Sequence, residues 1–162
     1  MHRNSVITLI CLCCAVLCSC GKAAGQSGNA PAETTVQTVT DAQGKVIDVD
    51  LTQMSSTMIY STVSNMMQYP DSYLGQHIKL SGQFSVYHDK GGDKYIFSAI
   101  IPDATACCSQ GIEFVLDDSY KYPDDYPEEG TTITVTGDFN VYDEYGFKYC
   151  QLQNAEMTVD NT

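Results

Sequence analysis

Apolar and polar residues follow three different patterns along this chain, and each pattern predicts a different structure. Near the N-terminus, Val6 to Cys18 is an apolar run that only Thr8 interrupts. Over residues 51–69 the apolar positions are spaced as on one face of a helix. From residue 76 onward apolar and polar residues alternate with a period of two, as in half-buried strands. The patterns predict an N-terminal apolar segment, one helix and a β domain.

The helix is predicted to begin after Asp50, which can cap its N-terminus. Gln53 follows three residues later, as in a capping box. Pro70 is expected to end the helix. The apolar stripe is rich in Met, and we interpret it as a face that packs on the core, because Met fills irregular gaps. We assign residues 51–72 to this packing helix.

The alternating region contains five predicted strands. They cover residues 76–87, 94–101, 111–117, 131–142 and 147–159. The segment between the third and fourth strands contains Pro123 and Pro127, so we expect an irregular loop there. Its acidic residues are interpreted as a solvated loop, since they lack the order of a calcium-binding loop.

The first and fourth predicted strands resemble each other. IKLSGQFSVY from Ile78 matches ITVTGDFNVY from Ile133, and a Lys-Tyr pair follows each turn. Gly82 and Gly137 occupy equivalent positions in mid-strand, where a glycine permits a sharp bend in a sheet that curls on itself. The repeat therefore predicts two similar β-hairpins.

Five strands with a long break after the third resemble the five-stranded OB barrel. The predicted fold class is accordingly mainly β, a small five-stranded OB-like barrel preceded by one α-helix. The barrel domain is assigned to residues 73–162.

The N-terminal apolar run is too short to span a bilayer and has the length of a signal-peptide core. It ends in Leu17-Cys18-Ser19-Cys20, which resembles a bacterial lipobox. The resemblance implies a signal peptide over residues 1–19, a lipid anchor on the Cys20 sulfur and a location on the outer side of the cell membrane. The alternative is an ordinary cleaved signal peptide. Residues 20–50, rich in small and polar residues, are expected to form the lipidated cysteine and a flexible tether, with a short extended piece at its end.

Composition narrows the choice of partners. The 162 residues include 8 Lys and Arg against 20 Asp and Glu, a net charge of −12. Because nucleic-acid phosphates require basic residues, we expect no nucleic-acid partner. The expected partners are the membrane, through the lipid on Cys20, and an envelope protein or transporter.

Eight cysteines suggest a disulfide framework, but five of them lie within the first 20 residues. Cys107, Cys108 and Cys150 remain for the folded domain. One of the adjacent pair could bond to Cys150, the pair could bond to each other, or the thiols could simply be structural. By alignment of the hairpins, Cys150 replaces Ile96 and should face the core. A further alternative is a zinc-like site formed by Cys107, Cys108 and Cys150 with Glu113, His77 or His88, although adjacent cysteines depart from usual zinc spacing.

The adjacent cysteines also resemble those in the soluble OB-like domain of a family of bacterial permease subunits. In that family a Cys-Cys lies next to an Asp-Ala, whereas here Asp103-Ala104 precedes Cys107-Cys108. The resemblance implies a link to metal transport and slightly favours the metal hypothesis.

Tyrosines cluster around the predicted turns and the long loop. These rings could form a wall for a sugar, a peptide or a protein, although tyrosine also suits the half-buried edges of strands. They are the tyrosines at 87, 95, 120, 122, 126, 142, 145 and 149, with Tyr87, Tyr95, Tyr142 and Tyr149 as the chosen candidates. No motif typical of a hydrolase or a metalloprotease occurs. His77 alternates with core residues and is expected to be exposed. The sequence therefore favours a non-catalytic binding protein without a cofactor, with metal handling or thiol-redox chemistry as alternatives.

Overall fold

The computed structural model describes residues 38–160, which form a mainly β domain with one α-helix. The predicted signal peptide, Cys20 and most of the predicted tether lie outside the described residues. The helix α1 spans Ser56–Gln68. The strands are β1 Val49–Asp50, β2 His77–Asp89, β3 Lys94–Pro102, β4 Ser109–Leu116, β5 Thr132–Glu144 and β6 Phe147–Val159.

The five long strands confirm the sequence prediction to within two residues at each end. They belong to one six-stranded sheet in the order β1-β2-β3-β4-β6-β5, and β2 also pairs with β5. Each long strand therefore has at least two neighbours, and the backbone pairings form a closed circuit. The sixth strand is the two-residue β1, which pairs in parallel with β2. The irregular loop predicted between the third and fourth strands, over residues 118–130, is confirmed: residues 117–131 contain only turns and bends.

The two similar hairpins pair with each other through their first strands, β2 and β5. Ile78 lies opposite Gly137, and Gly82 lies opposite Ile133, so each glycine faces the isoleucine of the other copy. A Cβ on Gly82 would lie 2.9 Å from the carbonyl oxygen of Ile100, and a Cβ on Gly137 would lie 2.9 Å from that of Gln153. Only glycine permits the backbone approach at these two positions.

The helical region differs from the prediction at its start. Asp50 is an N-cap, as predicted, since its Oδ1 accepts from the backbone N–H of Thr52 at 2.9 Å. The helix that Asp50 caps is, however, a short 3-10 helix over Leu51–Gln53 and not α1. Met54 and Ser55 are extended, with ψ of 159° and 155°, and they separate it from α1. Gln53 makes no capping box and bonds to the Thr52 hydroxyl instead. The helix ends before Pro70, as predicted.

The core is formed by the inner faces of the long strands, with α1 packed against β3, β4 and β6. Val63 and Met66 of α1 are fully buried, whereas Met58 and Met67 are about half exposed. The Met-rich stripe is therefore mostly a core-packing face. Burial of apolar side chains at roughly 25 cal/mol per Å² makes this shared core the main source of stability.

Residues 38–50 contain the extended piece that the sequence predicted. Thr40 forms a bridge with Val46, Ile47 is buried, and β1 follows. This segment lies against the start of β2, where Asp48 N–H donates to the carbonyl of His77 at 2.8 Å. Within residues 38–160, no helix has the length and apolar character needed to cross a bilayer.

Candidate functional site

A cleft of about 550 Å³ lies on the sheet beside the β5–β6 hairpin and the loop over residues 117–131. Its floor is formed by β3 and β4, and its rim by β5, β6 and the start of the loop. Charged and aromatic side chains dominate its chemistry, chiefly Lys94, Glu113, Asp117, Tyr120 and Tyr142. We refer to this feature as the cleft.

Glu113 is the most unusual group of the cleft. It lies on β4 opposite Gln151 of β6, and the hydroxyl of Tyr142 donates to its Oε2 at 2.7 Å. Because β6 lies between β4 and β5, this tyrosine reaches across a whole strand to the carboxylate. Partial burial raises the pKa of Glu113, although the Tyr142 hydrogen bond and the nearby Lys94 ammonium oppose the shift. The protein thus keeps a partly desolvated carboxyl group in an accessible depression.

Lys94, at the start of β3, and Glu144, at the end of β5, form an ion pair beside Tyr142. The Lys94 ammonium donates to Glu144 at 2.9 Å and lies 5.6 Å from the ring centroid of Tyr142, within cation–π range. The Glu144 hydrogen bond raises the pKa of Lys94, against the opposing effect of burial. Tyr142 in turn stacks on Tyr149, its cross-strand neighbour, with ring centroids 5.3 Å apart. These contacts fix the Tyr142 ring and its hydroxyl.

A second group of rings, which we call the aromatic cluster, attaches the long loop to the β2–β3 hairpin. Tyr126 of the loop stacks on Phe97 at 4.2 Å, and Tyr122 lies 4.6 Å from Tyr95. Tyr95 also stacks on His88 at 4.4 Å. Burial is the main reason that the pKa of Tyr126 is raised. The cluster fixes the loop that forms one rim of the cleft.

The four predicted ligand-surface tyrosines are only partly brought together. Tyr142 and Tyr95 line the cleft, whereas Tyr149 does not line it but stacks on the Tyr142 ring. Tyr87 is 65% exposed and lies opposite Ile96, outside the cleft lining. Tyr120 and Tyr126, which belong to the wider tyrosine group noted in the sequence, also line the cleft. Lys94 was not predicted as a site residue, because its pairing with Glu144 joins β3 to the distant end of β5.

The prediction that His77 is exposed is wrong, because its side chain is buried. Its Nδ1 lies 2.7 Å from Asp138 Oδ1, and its Nε2 lies 2.8 Å from Asp41 Oδ2. Its backbone N–H donates to Asp48 Oδ2 at 2.7 Å. The alternation of β2 does place His77 on the outer side of the strand, but residues 38–48 cover that side. Both ring nitrogens are therefore engaged, and His77 fastens this N-terminal segment to the domain.

The proposed zinc ligands fall into separate regions. Cys107 and Cys108 lie together in the β3–β4 turn, with Sγ atoms 3.6 Å apart, and both are exposed free thiols. Cys150 packs against the core, as predicted, and its thiol contacts the carbonyl of Met66 at 3.9 Å. Burial raises the pKa of the Cys150 thiol.

Asp103 joins the two exposed thiols instead. Among residues 38–160, the group whose ligating atoms all lie within 4.8 Å of one another consists of Asp103, Cys107 and Cys108. The set predicted from the sequence is therefore not assembled, since His77, Glu113 and Cys150 lie elsewhere. Asp103 could have been found from its place at the end of β3, in the same short turn as the cysteines.

Comparison with known families gives no identification. No protein-family model matches the chain, and no curated protein matches it in sequence.

Proposed function

We propose that this chain is a lipid-anchored extracytoplasmic binding protein whose five long strands form an OB-type barrel. The cleft is its non-catalytic binding site, and a hydroxyl-rich ligand of the oligosaccharide class fits it best. The fold part of the proposal is supported by the closed circuit of strand pairings from β2 through β3, β4, β6 and β5 back to β2. In OB folds the second and third barrel strands and their adjacent loops bind oligonucleotides and oligosaccharides. Those strands correspond to β3 and β4, the floor of the cleft.

Charge decides between the two ligand classes. The charged lining consists of three acidic groups, Glu113, Asp117 and Asp118, against Lys94 and Lys121. Lys94 is already paired with Glu144, which adds a fourth carboxylate beside the cleft. The whole chain carries a net charge of −12. A polyanion would be repelled by this field, whereas a neutral or amino-substituted sugar would not.

The Glu113–Tyr142 pair is the observation that carries the proposal. Tyr142 satisfies Oε2 of the carboxylate, so Oε1 is the atom that would accept from a ligand hydroxyl. A carboxylate that accepts from a hydroxyl forms a charge-assisted hydrogen bond, about twice as strong as a neutral one. Tyr120, which lines the cleft and makes only an edge contact with Tyr126, would offer an apolar face for the C–H side of a sugar ring. The cleft therefore combines one fixed acceptor with an apolar wall, as small-ligand sites commonly do.

Binding is tested by calorimetry of the purified protein against neutral and amino-substituted oligosaccharides, with a single-stranded oligonucleotide as the competing class. We expect sugar binding, and we expect Glu113→Gln to weaken it by roughly tenfold, the loss of one charge-assisted hydrogen bond. Tyr142→Phe should weaken it less, because it removes the bond that positions the carboxylate and not a bond to the ligand. Tyr69→Phe, on an exposed ring after α1, is the matched control and should bind normally. Binding of the oligonucleotide alone, or equal sugar binding by all variants, would overturn the proposal.

The anchor is a separate part of the proposal, and it rests on the Leu17-Cys18-Ser19-Cys20 sequence. Metabolic labelling with a palmitate analogue should mark the wild-type protein and should fail with Cys20→Ser. Cys18→Ser is the matched control, since it alters a neighbouring cysteine and should retain the label. Equal labelling of the wild type and Cys20→Ser would refute the anchor and leave the cleft proposal intact.

A further inference from the structure

The turn between β3 and β4 brings two thiols and one carboxylate to a single point on the surface. Adjacent residues of a strand face opposite ways, so a vicinal pair converges only where the strand is interrupted. Here Ala106 has a left-handed φ of 55°, and its N–H donates to the carbonyl of Asp103 at 3.0 Å. Asp103 N–H donates to the carbonyl of Cys108 at 2.8 Å and closes the turn. Both thiols consequently lie on the same side, 3.6 Å apart.

The two oxygens of Asp103 have different tasks. Oδ1 accepts from the backbone N–H of Thr105 at 3.1 Å and from that of Cys107 at 3.0 Å, which fixes the carboxylate plane. Oδ2 faces the thiols, and Cys107 Sγ lies 3.2 Å from it. The Thr105 hydroxyl lies 3.1 Å from both carboxylate oxygens and would turn away from Oδ2 when an ion binds there. One oxygen is thus held by the backbone while the other is directed at the sulfurs, an arrangement in which outer hydrogen bonds orient a metal ligand.

We propose that Asp103, Cys107 and Cys108 form a zinc site, with Oδ2 and the two Sγ atoms as ligands and water in the fourth position. This inference is independent of the cleft and of the sugar-binding proposal, and its ligand set differs from the one predicted from the sequence.

The separation of the sulfurs favours a tetrahedral ion. Two zinc–sulfur bonds of about 2.3 Å at a tetrahedral angle place the sulfurs about 3.8 Å apart, whereas a linear ion would need about 4.6 Å at the same bond length. The observed 3.6 Å is close to the tetrahedral value. Thiolates and carboxylates are both ligands that zinc accepts, whereas calcium and magnesium take oxygen ligands and would leave the two sulfurs unused.

The site is open to solvent. Both cysteines are exposed and Asp103 is partly exposed, so an ion can reach all three ligands without any movement of the core. Binding converts both thiols to thiolates, and their two protons pass to solvent. With three protein ligands, one coordination position remains for water, as in zinc sites that exchange a ligand.

The test uses the mature protein purified from the membranes of an exporting host, fully reduced, with the reductant then removed without air. Zinc is titrated in competition with a chromophoric chelator. The wild type should bind one more zinc ion than Cys107→Ser/Cys108→Ser, which provides the baseline for any other site. Asp103→Asn should weaken zinc binding at least tenfold. Cobalt substituted for zinc should give the strong visible absorption of a tetrahedral thiolate site.

Cys150→Ser is the matched control, because Cys150 is a free thiol that lies outside the site. It should bind zinc as the wild type does. Equal zinc binding by the wild type and the double serine variant would overturn the proposal, as would loss of zinc in Cys150→Ser. Unchanged affinity in Asp103→Asn would overturn the three-ligand site. All these side chains except Cys150 lie in a surface turn, and circular dichroism checks that each variant is folded.

Discussion

Nε2 of His77 lies 2.8 Å from Oδ2 of Asp41, although the two residues are 36 positions apart in the sequence. The opposite ring nitrogen is engaged by Asp138 at 2.7 Å. This imidazole therefore bridges the N-terminal segment, residues 38–48, and β5. Lys45 of the same segment also pairs with Asp138.

Replacing His77 should loosen this attachment. We expect His77→Ala to lower the free energy of unfolding by about 2 kcal/mol, because two hydrogen bonds to charged groups are lost and Oδ2 of Asp41 is left without its side-chain partner. His88→Ala is the control. His88 is more exposed than His77, its ion pair is with the highly exposed Asp93, and it otherwise loses only its stacking on Tyr95, so the substitution should cost less. Urea denaturation measures both. Equal effects of the two substitutions would show that the bridge contributes nothing particular.

The same carboxylates predict an acid dependence of stability. Burial alone would raise the pKa of Asp41 and Asp138, but it is outweighed for Asp41 by the backbone N–H of Lys45 and the His77 ring, and for Asp138 by the side chains of Lys45 and His77. Both pKa values are consequently lowered. A carboxyl whose pKa is lowered on folding contributes stability above its unfolded value, near 4, and this contribution is lost as the pH falls through the folded value.

We therefore expect the unfolding free energy to fall on acidification below about pH 4. Asp138→Asn should flatten this part of the profile, and Asp71→Asn, at an exposed position after α1, should leave it unchanged. Urea denaturation between pH 2 and pH 7 gives the comparison. A profile that Asp138→Asn does not alter would contradict the assignment.

Glu113 predicts the opposite dependence of stability on pH. Burial raises its pKa, so the folded protein holds this proton more tightly than the unfolded chain, and stability is lost as the pH rises through the folded value. Glu113→Gln should therefore be more stable than the wild type at pH 7, by less than about 1 kcal/mol because the half-exposed group is partly solvated. The difference should vanish below pH 4.

Titration of the Glu113 carboxyl by NMR checks whether a raised pKa causes this stability difference. Its midpoint should lie above the ordinary value, and Tyr142→Phe should raise it further, since the tyrosine hydroxyl stabilises the charged form. A lower midpoint in Tyr142→Phe would contradict the geometry of the pair.

The aromatic cluster should determine the order of the long loop. Tyr126→Ala removes the ring that stacks on Phe97, and we expect a loss of about 2 to 3 kcal/mol with faster amide exchange over residues 117–131. Tyr145→Ala, at a ring that is 78% exposed in the β5–β6 turn, is the control. Unchanged exchange in Tyr126→Ala would show that other contacts hold the loop.

The mid-strand glycine of β5 should tolerate no side chain. A Cβ on Gly137 would lie 3.0 Å or less from Gln153 and Leu152, so Gly137→Ala should cost about 2 kcal/mol through overpacking. Gly91→Ala, where the added carbon meets only a flexible carboxylate at 3.3 Å, is the matched control. Thermal unfolding of the two variants measures the cost, and similar melting temperatures would refute the overpacking at Gly137.

The strands and the repeat could be predicted from the sequence because a period of two is a local signal, and the two mid-strand glycines mark where the sheet bends. The end of the helix could also be predicted from a local signal, since Pro70 prevents the helix from continuing. The start of the helix could not be predicted in this way, because Met54 and Ser55 are extended although the apolar spacing continues through them.

The candidate sites depend on contacts that no local pattern records. The burial of His77 requires Asp41 and Asp138, which come from two distant segments. The cleft exists only because a loop rich in Pro and acidic residues folds back through Tyr122 and Tyr126. The two adjacent cysteines and the nearby Asp103 were visible in the sequence, but their convergence depends on the turn in which Asp103 N–H bonds to the carbonyl of Cys108.

The attachment of residues 38–48 also has a mechanical consequence. A force applied from the N-terminal side of the domain reaches the Asp41–His77–Asp138 bridge before it reaches the long strands. The bridge and the two-residue β1 are short, whereas β5 and β6 pair along almost their whole length. Under tension this segment should peel away first and lengthen the connection, and the domain that carries the cleft should remain intact.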